Sequence, residues 1–205
     1  MDAAAQPVPL FDQTGPRRLI VGLSGSTGPH YGVRLLEILR EQRPDIETHV
    51  ILSNAARMTI RYEMDRDPDS VAALAHTLHD ERNVAASIAS GSFITDGMVV
   101  APCSMKSLSA IANSYNDNLI ARAADVCLKE RRRLVLVVRE TPLHLGHLRL
   151  MEQVTAAGAV VLPPVPGFYH RPQTIQDLID HIVVRILDQF GIHLDLITRW
   201  QGLES

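Results

Sequence analysis

Short apolar runs and amphipathic helical stretches alternate along almost the whole chain, and that alternation constrains the fold more than any other feature. "RRLIVGLSG", Arg17 to Gly25, is apolar and ends in glycines, as a buried parallel strand does. In "GVRLLEILREQ" the residues Val33, Leu35, Leu36, Ile38 and Leu39 share one helical face. "ETHVILS" is a second strand, and its last residue, Ser53, can cap a following helix. "SVAALAHTLHDERN", Ser70 to Asn83, reads as another helix, and "DGMVVAP" as a third strand. Helices are expected from about Ser104 and from about Asn118 to Lys129, then a fourth strand in "RRLVLVVRE". "HLGHLRLMEQVTAAG" is a helix stopped by Gly158, "AVVLPP" a fifth strand, and "TIQDLIDHIVVRILDQFG" a last helix ended by Gly191. Alternation of this kind builds a parallel sheet with helices on both faces, a three-layer α/β fold. The 205 residues suit one domain, and neither a repeat nor a linker divides them.

The remaining bulk features exclude classes of partner. A net charge of -3 provides no global basic field for nucleic acid or an anionic membrane. No apolar run approaches the roughly 20 residues that span a bilayer. The two cysteines, Cys103 and Cys127, stand in no metal-ligand spacing, and a reducing, cytoplasmic location is expected. Residues 1–16 are acidic and lack the apolar stretch of a signal peptide. They read as a flexible tail or as an arm onto a neighbouring subunit, with a single domain over 17–205.

Ligands of such folds sit outside the carboxyl ends of the strands, and here every strand ends in decorated sequence. "GLSGSTGPHYG", "SNAA", "PCSMKS", "RETPL" and "PPVPGFYHRP" would meet on one rim. The first is neither G-x-G-x-x-G nor a P-loop, and no acidic residue follows the second strand to grip a ribose. Its Ser24, Ser26 and Thr27 can still present hydroxyls and N–H groups to an anion, or simply make a tight turn. "PCSMKS" starts a helix with Ser104 and Ser107 on either side of Lys106, a second anion site or a plain serine cap. Cys103 could be a nucleophile at that helix end, yet no histidine partner follows it. Arg122 and Lys129 lie two helical turns apart on one face, and Arg122, among alanines, reads as a buried guanidinium in need of an anion. Arg131 and Arg132 read as a solvated helix end. Glu140, directly after a core strand, is a candidate acid/base or a helix cap. Tyr169, His170 and Arg171 lie in a proline-rich loop, and Arg185 is on the last helix. His144 and His147 lack a third ligand, so no metal is expected.

From about Arg18 to Leu203 the chain resembles the UbiX-like flavin prenyltransferase family, whose members are also called aromatic acid decarboxylases. The resemblance is carried by "GLSGSTGPHYGVRLLE", "IASGSFITDGMVVAPCSMKSLSAIA", "DNLIARAADVCLKERRRLVLVVRETPL", "GFYHRPQTI" and the late "RW". It implies a flavodoxin-like (Rossmann-like) fold that binds FMN at a subunit interface, usually in a homododecamer. It implies metal-independent transfer of a dimethylallyl group from dimethylallyl phosphate to N5 and then C6 of reduced FMN. The prenylated FMN would serve a UbiD-type decarboxylase. The same cations could serve a monophosphate or a pyrophosphate donor.

Carried over by residue, the resemblance assigns FMN to Gly25, Ser26, Thr27, Ser53, Ser104, Met105, Lys106, Ser107 and Arg139. It assigns the prenyl phosphate to Arg122, Lys129, Tyr169 and Arg185, the last two from another subunit. Glu140, Thr27 and Glu63, with Arg122 and Lys129, would be the catalytic set, and Trp200 an aromatic neighbour. Thr27 stands where the family usually has serine, and Asn54 where it usually has lysine. Two rivals share the fold or the cofactor. A flavin-dependent cysteine decarboxylase should carry a catalytic histidine and "PASANT"- and "PxMNxxMW"-like motifs, which are missing. A mere flavin carrier has no use for Lys129 or Arg185.

Overall fold

The computed structural model describes residues 15–202. Its strands are β1 (Arg17–Leu23), β2 (Ile46–Leu52), β3 (Thr77–His79), β4 (Gly97–Cys103), β5 (Arg133–Val138) and β6 (Val160–Val161). Its helices are α1 (His30–Gln42), α2 (Asn54–Met64), α3 (Pro68–Ala72), α4 (Met105–Ala112), α5 (Leu119–Lys129), α6 (Leu145–Ala156) and α7 (Ile175–Asp188). The strands form one parallel sheet in the order β3-β2-β1-β4-β5-β6. This is the flavodoxin-like order extended by the short edge strand β3.

The sheet divides the interior into two cores, and the two-residue period of each strand decides which residue joins which. Val21 of β1, Val99 of β4 and Val135 and Val137 of β5 pack with α1 and α7. Ile20, Met98, Val100, Leu134 and Leu136 point the other way, to α4 and α5. All seven residues of β4 are buried, which is why its sequence reads as a continuous apolar run. Each fully buried Val, Leu or Ile contributes about 1.5–3 kcal/mol relative to exposure. The caps anticipated from sequence form: Ser53 Oγ accepts from Ala56 N–H, and Asn118 Oδ1 from Ala121 N–H. Thr174 and Asp177 add a reciprocal capping box to α7.

One expected element is different. Ser70–Asn83 is not a helix: α3 ends at Ala72, and Thr77–His79 is the strand β3, paired with His49–Ile51 of β2. His76 bonds Thr48 through both its backbone and Oγ1, and His79 Nε2 lies 3.0 Å from His49 Nδ1. These contacts to β2 override the helical preference of the alanine-rich stretch. The expectations for residues 1–14 and 203–205 lie outside the described residues. Among the described residues no helix is long and apolar enough to cross a membrane.

Candidate active site

The strand order reverses between β1 and β4, which opens a crevice at their carboxyl ends. Hydrogen bonds fasten the loops there to one another. Ser53 N–H donates to Leu23 O, Ser24 N–H to Pro102 O, and Arg139 N–H to Cys103 O. Ser24 Oγ donates to Pro102 O (2.8 Å) and accepts from Ser104 N–H (2.8 Å). Ser24 is therefore a buried staple between two loops rather than the free anion-binding hydroxyl its loop suggested. Ser26 Oγ donates to Arg139 O (3.1 Å), tying the first loop to the loop after β5. Glu63, at the end of α2, accepts from Gly28 N–H at 2.9 Å and so braces that first loop. Thr27, between them, is exposed.

Enclosed by these loops is a cavity of about 490 Å³, within the usual size range of small-molecule sites. Gly25, Ser53, Ser104, Met105, Lys106, Ser107 and Glu140 line it, all singled out from sequence. Glu81, Asn118 and Ile120 also line it and were not singled out as site residues. Glu81 lay in the supposed helix, and here its carboxylate accepts from Asn54 N–H (3.0 Å). Asn118 carried only the signal of a helix start. Two helices, α2 and α4, begin at the cavity, and first-turn amides lack intrahelical acceptors. Ser53 and Ser104 satisfy Ala56 and Ser107, which leaves the amides of Ala55, Met105 and Lys106 for an anion. Gly25 is required by proximity: a Cβ there would stand 2.2 Å from Ala55 Cβ. Glu140 is exposed at the rim and accepts from Thr141 N–H rather than capping α6, which His144 caps.

The cations are placed differently from the sequence expectation. Arg122 is only partly buried, and its counter-ion belongs to its own helix: Nη1 meets Asp125 Oδ2 at 3.2 Å, while Nε donates to Ala89 O at 3.1 Å. The premise of a buried guanidinium lacking an anion is thus corrected. Its other N–H groups remain free to bind. Lys129 shares the Arg122 face, close to Gly91 and paired with Glu130. At 1.5 Å per residue it stands about 16 Å along α5 from Asn118 at the cavity. Arg132 is not a solvated helix end, since it donates to Phe93 O and Gly91 O. Arg185 is on α7, which packs against the opposite face of the sheet, and pairs with Asp188 (3.0 Å). Tyr169 meets that helix through His181 and lies edge-on to Trp200, with centroids 5.8 Å apart. One chain therefore assembles the cavity but does not gather all four phosphate candidates.

The rival chemistries have no support in this geometry. Cys103 is fully buried, and desolvation pushes its thiol pKa up to about 12, so no thiolate nucleophile is present near neutral pH. Cys127 is likewise buried, with a pKa of about 12. His144 and His147 stack with ring centroids 3.7 Å apart, and among the described residues no third ligand joins them.

A doubly wound sheet with paired helix N-termini at its switch point defines a protein that binds a phosphate-bearing cofactor. A family model described as Flavoprotein matches residues 10–187. The flavin prenyltransferase UbiX of Escherichia coli K12 is 61% identical over 91% of this chain and 99% of its own. The crystal structure of AnUbiX (PadA1) in complex with FMN and dimethylallyl pyrophosphate is 51% identical, with a TM-score of 0.90, over 93% of this chain and all of that one. A dodecameric FMN-dependent UbiX-like decarboxylase from E. coli O157:H7 superposes with a TM-score of 0.88 at 50% identity, over 90% of this chain and all of that one. The chain belongs to the UbiX flavin prenyltransferase family. FMN-dependent cysteine decarboxylases such as TvaF, 17% identical at a TM-score of 0.59, share the fold alone.

Proposed function

We infer that this protein is a flavin prenyltransferase that moves a dimethylallyl group from dimethylallyl phosphate onto reduced FMN. The observation that carries this reading is the convergence of Gly25, Ser53, Ser104, Met105, Lys106, Ser107 and Glu140 on one cavity in a chain of this family. The residues fit FMN. Open amides at two helix starts, Lys106 and the hydroxyl of Ser107 suit a phosphate, and Met105 and Ile120 offer apolar wall for a ring. Ser26, Thr27 and Arg139 close the rim beside them.

Reduced FMN supplies the electron-rich ring that accepts the prenyl carbon. The chain's own task is to stabilise the leaving phosphate as charge develops on it, which clustered Arg122, Lys129, Tyr169 and Arg185 would do. Glu140, free of any ion pair among the described residues, holds or moves a proton at the rim, and Glu63 keeps the Gly25–Gly28 loop in place.

Because α5 and α7 flank opposite faces of the sheet, the phosphate set closes only between subunits, and we include a homo-oligomer in the proposal. The exposed apolar side chains of Met58, Tyr62, Leu145, Leu148, Val165 and Phe168 support it. The dodecamer, the hand-over of prenylated FMN to a UbiD-type decarboxylase, and a cytoplasmic location consistent with the buried, unpaired Cys103 and Cys127 complete the reading.

The deciding experiment incubates the protein anaerobically with reduced FMN and dimethylallyl monophosphate and follows flavin mass and spectrum. A mass gain of one prenyl unit is expected. Flavin bound but unchanged would mean a carrier, and loss of carbon dioxide from a cysteine substrate would mean the rival enzyme.

A further inference from the structure

His181 stands in the middle of α7 and is almost fully buried. Its Nε2 lies 3.0 Å from Tyr169 Oη, and its ring stacks on His170 with centroids 4.6 Å apart at an interplanar angle of 7°. The Tyr169 ring is walled by His170, His181 and Trp200, all edge-on to it. Gly167 leaves the room for this box, since a Cβ there would come within 3.2 Å of both His181 Cε1 and Tyr169 Cε1. One turn further along α7 is Arg185, half exposed. His181 thus sits between the two α7-side groups assigned to the donor's phosphate, yet it is too buried to meet that phosphate itself.

The protonation of His181 follows from its partners. Burial, with His170 and Arg185 nearby, holds its pKa below the ordinary histidine value, so the ring is neutral at pH 7. A neutral ring carries one proton. His181 Nδ1 is buried with no partner among the described residues, so a proton there would be an orphaned donor. The proton therefore belongs on Nε2. From there it is donated to the phenolic oxygen. The opposite tautomer would consume the Tyr169 proton as a donor to Nε2.

We propose that His181 is a positioning residue for the prenyl donor: its Nε2–H fills a lone pair of Tyr169 Oη and leaves the phenolic proton free to bind a phosphate oxygen. This rests on the assignment of Tyr169 to the donor phosphate made above.

The test uses the full chain loaded with FMN. Calorimetric titration with dimethylallyl monophosphate against oxidised FMN reads donor binding without turnover, and initial rates with reduced FMN give kcat and KM. His181→Phe keeps a flat ring and removes both nitrogens. Donor Kd and KM should rise about tenfold, with kcat altered less than about threefold. His181→Gln, which restores an N–H donor at similar reach, should recover most of the binding. Tyr169→Phe should weaken donor binding, and the double variant should be no weaker than Tyr169→Phe alone. Wild-type donor binding by His181→Phe beside an impaired Tyr169→Phe would overturn the role of His181 and leave the proposed function standing. Normal binding by Tyr169→Phe would remove the Tyr169 assignment and with it the proposal. If His181→Phe loses FMN or its assembled size, His181→Met against His181→Gln repeats the comparison between side chains of like length, only one a donor. Equal binding by those two would also overturn it.

Discussion

Gly25→Ala should damage FMN binding far more than its single methyl group implies. The added Cβ would fall 2.2 Å from Ala55 Cβ, whereas carbon atoms pack best at about 3.5–4.0 Å. The first turn of α2 must retreat by more than about 1 Å to admit it. That turn carries the Ser53 cap and the open amide of Ala55 at the cavity. Overpacking of this kind costs about 1–3 kcal/mol, which for a chain of this size lowers Tm by roughly 3–10 °C. Loss of one charge-assisted hydrogen bond should weaken FMN by about ten- to a hundredfold, read by quenching of flavin fluorescence. The partner substitution makes the reasoning strict. Ala55→Gly removes the clashing atom, and the next contact, to Ala55 Cα at 3.3 Å, is tight but needs only a few tenths of an ångström of give. The double variant should recover most of the FMN affinity, at a cost of up to about 1 kcal/mol for glycine in a helix. Wild-type affinity in Gly25→Ala, or losses that simply add in the double variant, would refute the steric account.

Ser53→Ala removes the α2 cap and should cost about 1 kcal/mol in urea unfolding, with a measurable loss of FMN affinity. Cys103, with its thiol pKa pushed up to about 12, should resist alkylation by iodoacetamide at neutral pH in the native protein, checked by intact mass, and should react once unfolded. Burial raises the Asp188 pKa, but hydrogen bonds from Arg199 and His193 and the charge of Arg185 outweigh it, so the value ends below the ordinary 3.8. The stability Asp188 contributes is therefore present above that ordinary value and lost as pH falls through the lower, folded one. Urea midpoints should drop more steeply below about pH 4 in the wild type than in Asp188→Asn. Glu140→Gln and Arg122→Ala should keep the fold and bind FMN but lose prenyl transfer, and wild-type product yield from either would refute its assigned role.

What the sequence disclosed follows from how each signal arises. Strands buried on both faces, such as Gly97–Cys103, announce themselves because every residue must be apolar. Caps at Ser53 and Asn118 are local, needing only residues a few positions apart. The cavity lining was legible because in a parallel sheet all strand ends lie on one rim, so chain order alone brings Gly25, Ser53, Ser104 and Glu140 together. By contrast β3 has three residues, too few to show a period, and its existence depends on contacts made by His76 and His79 with β2. Glu81 follows that strand and was lost with it. Asp125 stood in plain view three residues after Arg122, yet alanine neighbours drew attention to burial instead of to the ion pair.

The spread of the cations carries a further consequence. A helix that returns from the rim runs back across the sheet, so residues at its two ends face different regions. Asn118 lines the cavity while Lys129, at the other end of α5, lies toward the Gly91 loop. Tyr169, His181 and Arg185 stand with α7 on the opposite face. No rotamer change carries a lysine across about 16 Å of helix, or an arginine through a sheet packed on both faces. If Lys129 and Arg185 act on one phosphate, at least one of them comes from another copy of the chain. Activity should then appear with assembly: dilution or interface variants that yield a folded monomer should bind donor far more weakly than the oligomer, even where the cavity of each chain is intact.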